Sequence, residues 1–239
     1  MKSRFLGLAA ASLLTTTVSA DITGVRLAVY EVTTEDFGGT AVSAFVHDLY
    51  MTSNDANDVL LNVFNLDLAA TAQVTYFQSA TGTGWLPNNL GGIFDTPALR
   101  VADSFVTIGG FEQDVLAPEQ APGAGSGTGL DPNFGGNSAA FPGDLAGWFN
   151  SSPPNLNGQV GNVAGNDETP EPDSFGLGVF IGRFSYDGDF TLEDSTLSVT
   201  WNQGLGTPGE QGSFTVTPAP GVLALLGLAG IHRTRHRTT

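Results

Sequence analysis

The sequence contains no cysteine. Disulfides and thiolate metal centres are therefore excluded, and packing has to hold the fold together. The stretch 21–217 also has no lysine and only three arginines, Arg26, Arg100 and Arg183, against 24 acidic residues, which gives a formal charge of −21. This charge excludes nucleic-acid binding, because a phosphate-binding surface needs clustered lysine and arginine.

Motifs of several enzyme classes are missing as well. Outside its two ends the chain has a single histidine, His47, and it contains neither a Gly-x-Ser-x-Gly nor a His-Glu-x-x-His motif. We interpret His47 as a structural residue of a strand and predict no catalytic residue. A polysaccharide-acting enzyme with paired carboxylates stays open as an alternative, since glycoside hydrolysis needs only two acidic side chains.

The N-terminus has the pattern of a cleavable export signal. Lys2 and Arg4 precede an apolar run from Phe5 to Leu14, and small residues end the segment at Ala20. The run is about half the roughly 20 residues that a membrane-spanning helix needs. We therefore predict a signal peptide over 1–20, with cleavage between Ala20 and Asp21 and secretion of the remainder.

The C-terminus has a second sorting pattern over 218–239. Pro218, Ala219, Pro220 and Gly221 lead into an apolar run at 222–231, and the chain finishes with Arg233, Arg235 and Arg237. The apolar run can enter a bilayer while the arginines stay on the cytoplasmic side. The alternative is a final core strand followed by a basic tail.

These C-terminal residues resemble the PEP-CTERM sorting signal of exported proteins that an exosortase processes. Pro218 and Pro220 match the two prolines of that signal, while Ala219 stands where the family most often has glutamate. The resemblance implies a hydrophobic sorting helix, an exosortase-like partner, transient membrane anchoring, and delivery to the outer surface or the extracellular matrix.

Between the two ends, alternation of apolar and polar residues predicts an all-β body over 21–217. The predicted strands lie at 22–32, 40–51, 58–67, 71–79, 99–108, 177–186, 195–202 and 212–217. The strand at 40–51 is apolar on both sides and is predicted to be central. About 200 residues suffice for one core, so we expect a single jelly-roll-like β-sandwich.

A long insertion rich in glycine and proline, about 118–176, interrupts this pattern. Connections beyond about 15 residues are usually functional or disordered, so the insertion is a candidate binding region, although its aromatic residues are equally suited to pinning it onto the body. Only the part at 143–150 has helical spacing, and it predicts a turn or two of helix.

Two kinds of binding site are predicted in the body. Asp187, Asp189 and Glu193 surround a turn and are candidate calcium ligands, as are the turns at 55–58 and 131–136; solvated turn chemistry is the alternative for each. Trp85 and Trp148 lie in predicted loops and are candidates for stacking on sugar rings, whereas Trp201 is predicted to lie in the core.

The sequence therefore predicts an exported, non-catalytic surface or matrix protein with a structural or adhesive role. No cofactor is predicted other than calcium, and the expected partners are the sorting machinery, the membrane and extracellular polysaccharide. The alternatives are a calcium-assisted carbohydrate-binding module and the polysaccharide-acting enzyme.

Overall fold

The computed structural model describes residues 21–82, 84–87, 92–108, 128–134, 143, 145–151, 158–163, 176–188 and 191–218. Strands dominate these residues. They are Ile22–Asp36 (β1), Thr40–Ser53 (β2), Val59–Asp67 (β3), Phe105–Val106 (β4), Thr128–Leu130 (β5), Ala146–Asn150 (β6), Gly161–Val163 (β7), Gly176–Tyr186 (β8), Thr196–Asn202 (β9) and Glu210–Pro218 (β10). The helical segments are short: Pro97–Val101 (α1) and 3₁₀ turns at Phe37–Gly39, Ala70–Ala72 and Gly92–Phe94.

The described strands form one continuous sheet that curls nearly into a barrel. Its order is β4-β8-β2-β1-β10-β9-β3-β6-β5, with β7 pairing with β8. The first and last strands, β1 and β10, run parallel and pair only from Val25↔Val216 to Leu27↔Pro218, while the other pairs are antiparallel. The two outer strands approach each other, because the Ile108 N–H just after β4 donates to Thr128 Oγ1 of β5 at 2.9 Å.

The curl encloses one main core. Alternate residues of β1 and β2, such as Leu27, Leu49 and Met51, point inward and meet Val63 of β3 and Trp201 of β9. Each fully buried side chain of this size stabilises the fold by about 1.5–3 kcal/mol relative to exposure. Trp201 lies in the core as predicted.

The opposite face of β1, β2 and β8 is covered by the chain around α1. Thr96 caps this helix by accepting the Leu99 N–H at 3.1 Å, and Pro97 occupies its first turn, where a missing N–H costs nothing. The buried Ala98 and Ala102 then pack against Val42 of β2. Side chains on this face of the sheet are therefore also removed from water.

Most of the predicted strands are confirmed. Those predicted at 22–32, 40–51, 58–67, 177–186, 195–202 and 212–217 correspond to β1, β2, β3, β8, β9 and β10, and β2 lies inside the sheet between β1 and β8. The all-β class is thus confirmed in the coarse form of a β-rich body with almost no helix in its described part.

Three predicted elements differ from the structure. The segment 71–79 begins with a 3₁₀ turn, and its later residues form isolated hydrogen bonds and no strand: the Phe77 N–H donates to the Ser185 carbonyl oxygen at 2.6 Å, and the Ser79 N–H donates to the side chain of Asp103. The segment 99–108 is split, since α1 runs through Val101 and only Phe105–Val106 is a strand.

The predicted helix at 143–150 is strand β6. Gly147 lies so close to the neighbouring strand that an added Cβ would be 2.9 Å from the Val63 carbonyl oxygen. Period-2 alternation places Trp148 in the core and leaves Phe149 exposed. The insertion is therefore partly regular, with β5, β6 and β7 inside it.

Candidate functional site

A buried ion pair joins the central strands on the face under α1. Asp48 and Arg183 are direct partners across β2 and β8, and both side chains are fully buried. Arg183 Nε donates to Asp48 Oδ1 at 2.8 Å and Arg183 Nη2 to Oδ2 at 2.9 Å. Burial alone would lower the pKa of Arg183, but the charge and hydrogen bonds of Asp48 together with the Tyr30 hydroxyl raise that pKa, so the guanidinium stays charged.

The remaining hydrogen-bonding capacity of this pair is used internally. Tyr30 Oη donates to Asp48 Oδ2 at 2.8 Å, and Arg183 Nη1 donates to the Arg100 carbonyl oxygen at 2.7 Å. The guanidinium carbon lies 5.7 Å from the centre of the Phe105 ring. This network ties β1, β2, β8 and the end of α1 together, and its position out of water makes it a structural feature.

A second buried polar cluster lies at the end of β1. Asp36 Oδ1 accepts from Ser79 Oγ at 2.7 Å and from Thr96 Oγ1 at 3.0 Å, and Asp36 Oδ2 accepts the Ala80 N–H at 2.8 Å. Burial opposes the charge of Asp36, but these hydrogen bonds together lower its pKa. Asp36 is therefore held as a carboxylate.

Asp103 also contacts Ser79, but its pKa is shifted in the direction opposite to that of Asp36. Its Oδ1 accepts the Ser79 N–H at 2.7 Å, whereas its Oδ2 is buried and has no hydrogen-bond partner. The pKa of Asp103 is raised to about 7, because burial and the Asp36 carboxylate raise it by more than the Ser79 and Ser104 backbone N–H groups and Arg183 lower it. Two buried carboxyl groups whose pKa values shift in opposite directions thus contact one serine.

A third buried carboxylate, Asp58, lies where β3 begins. Its Oδ2 accepts from Ser53 Oγ at 2.6 Å, and its backbone carbonyl accepts the Val160 N–H at 2.9 Å. Burial raises its pKa, while Ser53 and the Gln203 amide lower it and the nearby charges of Asp55 and Asp21 raise it. Asp58 therefore belongs to the junction between β2, β3 and the segment before β7.

The structure corrects the expectation that Trp85 and Trp148 lie exposed in loops. Each is 1% exposed, so neither ring has a face open to a sugar. Trp85 packs edge-on against Tyr76 at 5.8 Å between ring centres, and Trp148 Nε1 donates to the Thr107 carbonyl oxygen at 2.9 Å. Both tryptophans belong to the main hydrophobic core.

The predicted calcium residues are only partly described. Asp187 is exposed after β8 and Glu193 is half-buried before β9, while Asp189 lies outside the described residues. β8 and β9, the strands on either side of these residues, are not neighbours in the sheet. In the part of the chain that the structure describes, no three acidic or histidine side chains are grouped to hold a metal.

In the turns at 55–58 and 131–134, an aspartate side chain accepts a hydrogen bond from the backbone of the same turn. Asp55 Oδ1 accepts the Asn57 N–H at 2.8 Å, and Asp131 Oδ1 accepts the Asn133 N–H at 2.8 Å. These contacts are side-chain turns of the kind that aspartate forms with the backbone two residues ahead. The solvated-turn alternative therefore accounts for both geometries.

His47 is buried in β2, where it contacts the hydroxyl of Tyr186, and the two ring centres are 4.6 Å apart. Burial raises the pKa of Tyr186. His47 thus faces the core in a strand, which is the position expected of a structural histidine.

The two end segments mostly fall outside the described residues. This holds for Ala20 of the cleavage site and for Ala219, Pro220, Gly221, Arg233, Arg235 and Arg237 of the sorting motif. Asp21 is described and its N–H donates to Asn54 Oδ1 at 2.7 Å, and Pro218 ends β10. Within the described ranges, no helix has the length and apolarity to cross a membrane.

Sequence reasoning missed the buried carboxylates Asp36, Asp48 and Asp103. It also missed Arg183, the ion-pair partner of Asp48. A signal existed for one pair, because Asp48 and Arg183 each interrupt an otherwise apolar strand. Asp36 and Asp103 carried no such signal, since each lies at the end of an element, where aspartate is common. Comparisons of the chain with protein-family models, with curated proteins and with solved structures find no match.

Proposed function

We propose that this chain is an exported surface or matrix-associated protein whose acidic β body has a structural or adhesive role and no catalytic one. In this proposal residues 1–20 direct export, residues 218–239 act as a sorting segment recognised by an exosortase-like enzyme, and the membrane holds the product transiently. We also propose that the curled sheet is a jelly-roll-like sandwich whose two halves meet at β10.

The observation that carries the proposal is the internal use of the body's few positive charges. Arg183 is buried on Asp48, Arg100 pairs with Asp95, and Arg26 Nη1 donates to Thr217 Oγ1 at 2.8 Å. The exterior is left strongly anionic, since residues 21–217 contain 24 acidic residues and no lysine. Such a surface favours solubility outside the cell and attracts cations that can bridge it to acidic polymers.

The test is antibody labelling of intact cells that express the full chain. Surface labelling, together with weakened cell-to-matrix cohesion when the gene is deleted, is the expected result. Labelling only after the cells are permeabilised would contradict the proposal. Release of soluble sugars from polysaccharide by the purified protein would favour the enzyme with paired carboxylates instead.

One observation favours carbohydrate binding as a second candidate. Phe37 and Phe94 stack at 5.9 Å between ring centres with an angle of 13° between their planes, and they are 46% and 51% exposed. This pair at the β1–β2 turn offers the aromatic face that the buried tryptophans do not. Binding on a neutral glycan array that is lost in Phe37→Ala would establish this role.

A further inference from the structure

Asp21 lies at the end of the β1–β2 ladder and is tied to the turn that follows β2. The Asp21 N–H donates to Asn54 Oδ1 at 2.7 Å, and the Asn54 N–H donates back to the Asp21 carbonyl oxygen at 3.2 Å. The next residues of the two segments, Ile22 and Ser53, are direct partners in the ladder. The backbone nitrogen of residue 21 therefore has a defined position in the fold.

The side chains at this position form an acidic corner that consists of Asp21, Asp55 and Asp58. Asp58 is fully buried, and its side-chain hydrogen-bond donors, Ser53 and Gln203, are uncharged. Burial is the main cause of the raised pKa of Asp58, and the negative charges of Asp55 and Asp21 raise it further. The carboxyl groups of the acidic corner thus act on one another without a neutralising partner in that set.

The arginines of the body are engaged at other places. Arg183 and Arg100 form ion pairs with Asp48 and Asp95, and Arg26 donates to a threonine of β10. Residues 21–217 contain no lysine. A positive charge at the acidic corner therefore has to come from a group other than a lysine or arginine side chain of the body.

We propose that cleavage before Asp21 supplies this charge, so that the new α-ammonium group becomes the counter-charge of the acidic corner and stabilises the mature protein. This inference rests on the proposed export and cleavage. Hydrolysis breaks the C–N bond between Ala20 and Asp21; the oxygen of one water molecule goes to the Ala20 carboxylate and its two protons go to the Asp21 nitrogen. That nitrogen already donates to Asn54, and an ammonium group keeps N–H donors for the same bond.

The charge of this group gives the stabilisation a defined pH dependence. An α-amino group has an ordinary pKa of about 7.7–8.0, so its contribution is present below that range and is lost as the pH rises and the amine becomes neutral. The titratable side chains of the acidic corner are the carboxyls of Asp21, Asp55 and Asp58, and the turn after β9 contributes the uncharged Gln203.

The test compares two forms of the chain from Asp21 to Thr239, the proposed mature product, which differ only in acetylation of the α-amino group. An amine-specific reagent modifies that group alone, because the sequence after residue 20 contains no lysine. Acetylation removes the charge and keeps one N–H for Asn54. At pH 6.5 and low salt, the free form should melt about 1–4 °C higher than the acetylated form. The difference should vanish at pH 10.

Substitutions show whether the acidic corner causes this difference. Asp55→Asn and Asp58→Asn should each reduce it. Asp67→Asn is the matched control and should leave it unchanged, because Asp67 lies at the other end of β3, about 26 Å along the strand and beyond the range of screened charges. Circular dichroism establishes that each variant is folded, and Asp55→Asn suffices if Asp58→Asn does not fold.

Equal melting temperatures of the free and acetylated forms at pH 6.5 would overturn the proposal. So would a difference that persists at pH 10, or one that Asp55→Asn and Asp58→Asn leave unchanged. These outcomes are separate from failure of the proposed export, since the two purified forms have defined N-termini whatever the cell does with the chain. Intact Met1 peptides in exported material would refute the cleavage and leave the melting comparison unaffected.

Discussion

At the scale of single residues, buried charge is the feature with the largest energetic consequence. Asp48 and Arg183 satisfy each other inside the protein, whereas Arg100 and Asp95 pair nearer to the surface. Removing one member of a buried pair leaves an uncompensated charge, which costs far more than the pair itself contributes. The two ion pairs should therefore respond differently to the same substitution.

We predict that Asp48→Asn lowers the free energy of unfolding by about 3–5 kcal/mol, because Arg183 would stay buried without its counter-charge. The same change at the partly exposed pair, Asp95→Asn, should cost about 1 kcal/mol or less. Urea denaturation of the two variants measures the difference. Equal losses would show that the Asp48 carboxylate is not needed to compensate Arg183.

A second prediction at this scale concerns pH. Asp103 has a raised pKa of about 7 in the folded state, so it stabilises the fold fully below the unfolded pKa of about 4 and loses that contribution as the pH rises to about 7. Asp36 acts in the opposite direction and at lower pH, because its pKa is lowered: its contribution is lost only on acidification. The charged groups that face Asp103 are Asp36 and Arg183.

In EDTA, the unfolding free energy of the parent should therefore contain a component that falls by about 1.4 kcal/mol per pH unit between about pH 4 and pH 7. Asp103→Asn should lack this component. Denaturation at several pH values measures it as the difference between the two proteins. Parallel pH profiles would mean that Asp103 titrates alike in the folded and unfolded chains.

At the scale of elements, strands were predictable where one face meets the core and the other does not. β9 shows this alternation along its whole length, which depends only on the two-residue period of a strand. β2 was predictable from apolar residues on both of its faces, and its last eight residues are buried. β6 was not predictable from its spacing, since five residues with glycine and two adjacent aromatics fit either period. Its strand conformation depends on close contact between Gly147 and β3, which is tertiary information.

The start of α1 could have been found in the sequence. Thr96 followed by Pro97 is the usual signal of a helix N-terminus, but the apolar residues that follow also fit a strand. The location of Asp103 beside Ser79 could not have been predicted, because the two residues are brought together by the packing of α1 on β1 and β2. The buried cluster of Asp36, Ser79 and Asp103 is therefore a product of the fold and not of a local motif.

Closure of the sheet beside β3 gives a prediction at this scale. The Leu60 N–H donates to the Gly158 carbonyl oxygen at 2.8 Å, and a Cβ on Gly158 would collide with the Leu60 carbonyl oxygen and lie 2.7 Å from Ile108 Cγ2. Gly38 has the same φ of +77° but open space around it. An alanine at either position would have the same backbone strain, but only an alanine at position 158 would also clash with neighbouring atoms.

Gly38→Ala should cost about 1 kcal/mol, the penalty of a left-handed backbone for alanine. Gly158→Ala should cost about 1–3 kcal/mol more, because the methyl group forces β3 and the segment before β7 apart. Thermal or urea unfolding of the two variants compares them directly. Equal costs would contradict the tight junction at Leu60.

At the scale of the whole molecule, the acidic body lies between two end segments for which we propose sorting roles. The body's first strand, β1, and last strand, β10, are parallel neighbours, with Leu27 opposite Pro218. Pro218 lacks a backbone N–H, and Pro220 follows two residues later, so the ladder is not expected to continue into the sorting segment. Removing that segment should therefore change the location of the body and leave its stability unchanged.

The most direct test of the proposed surface role is mass spectrometry and fractionation of cells that express either the full chain or a chain lacking residues 222–239. We predict that the full-length product is found in surface material with Asp21 as its N-terminus. The truncated product should be released into the medium with the same N-terminus and an unchanged melting temperature. Intact Met1 peptides in the exported fraction, or a large loss of melting temperature on truncation, would contradict this prediction.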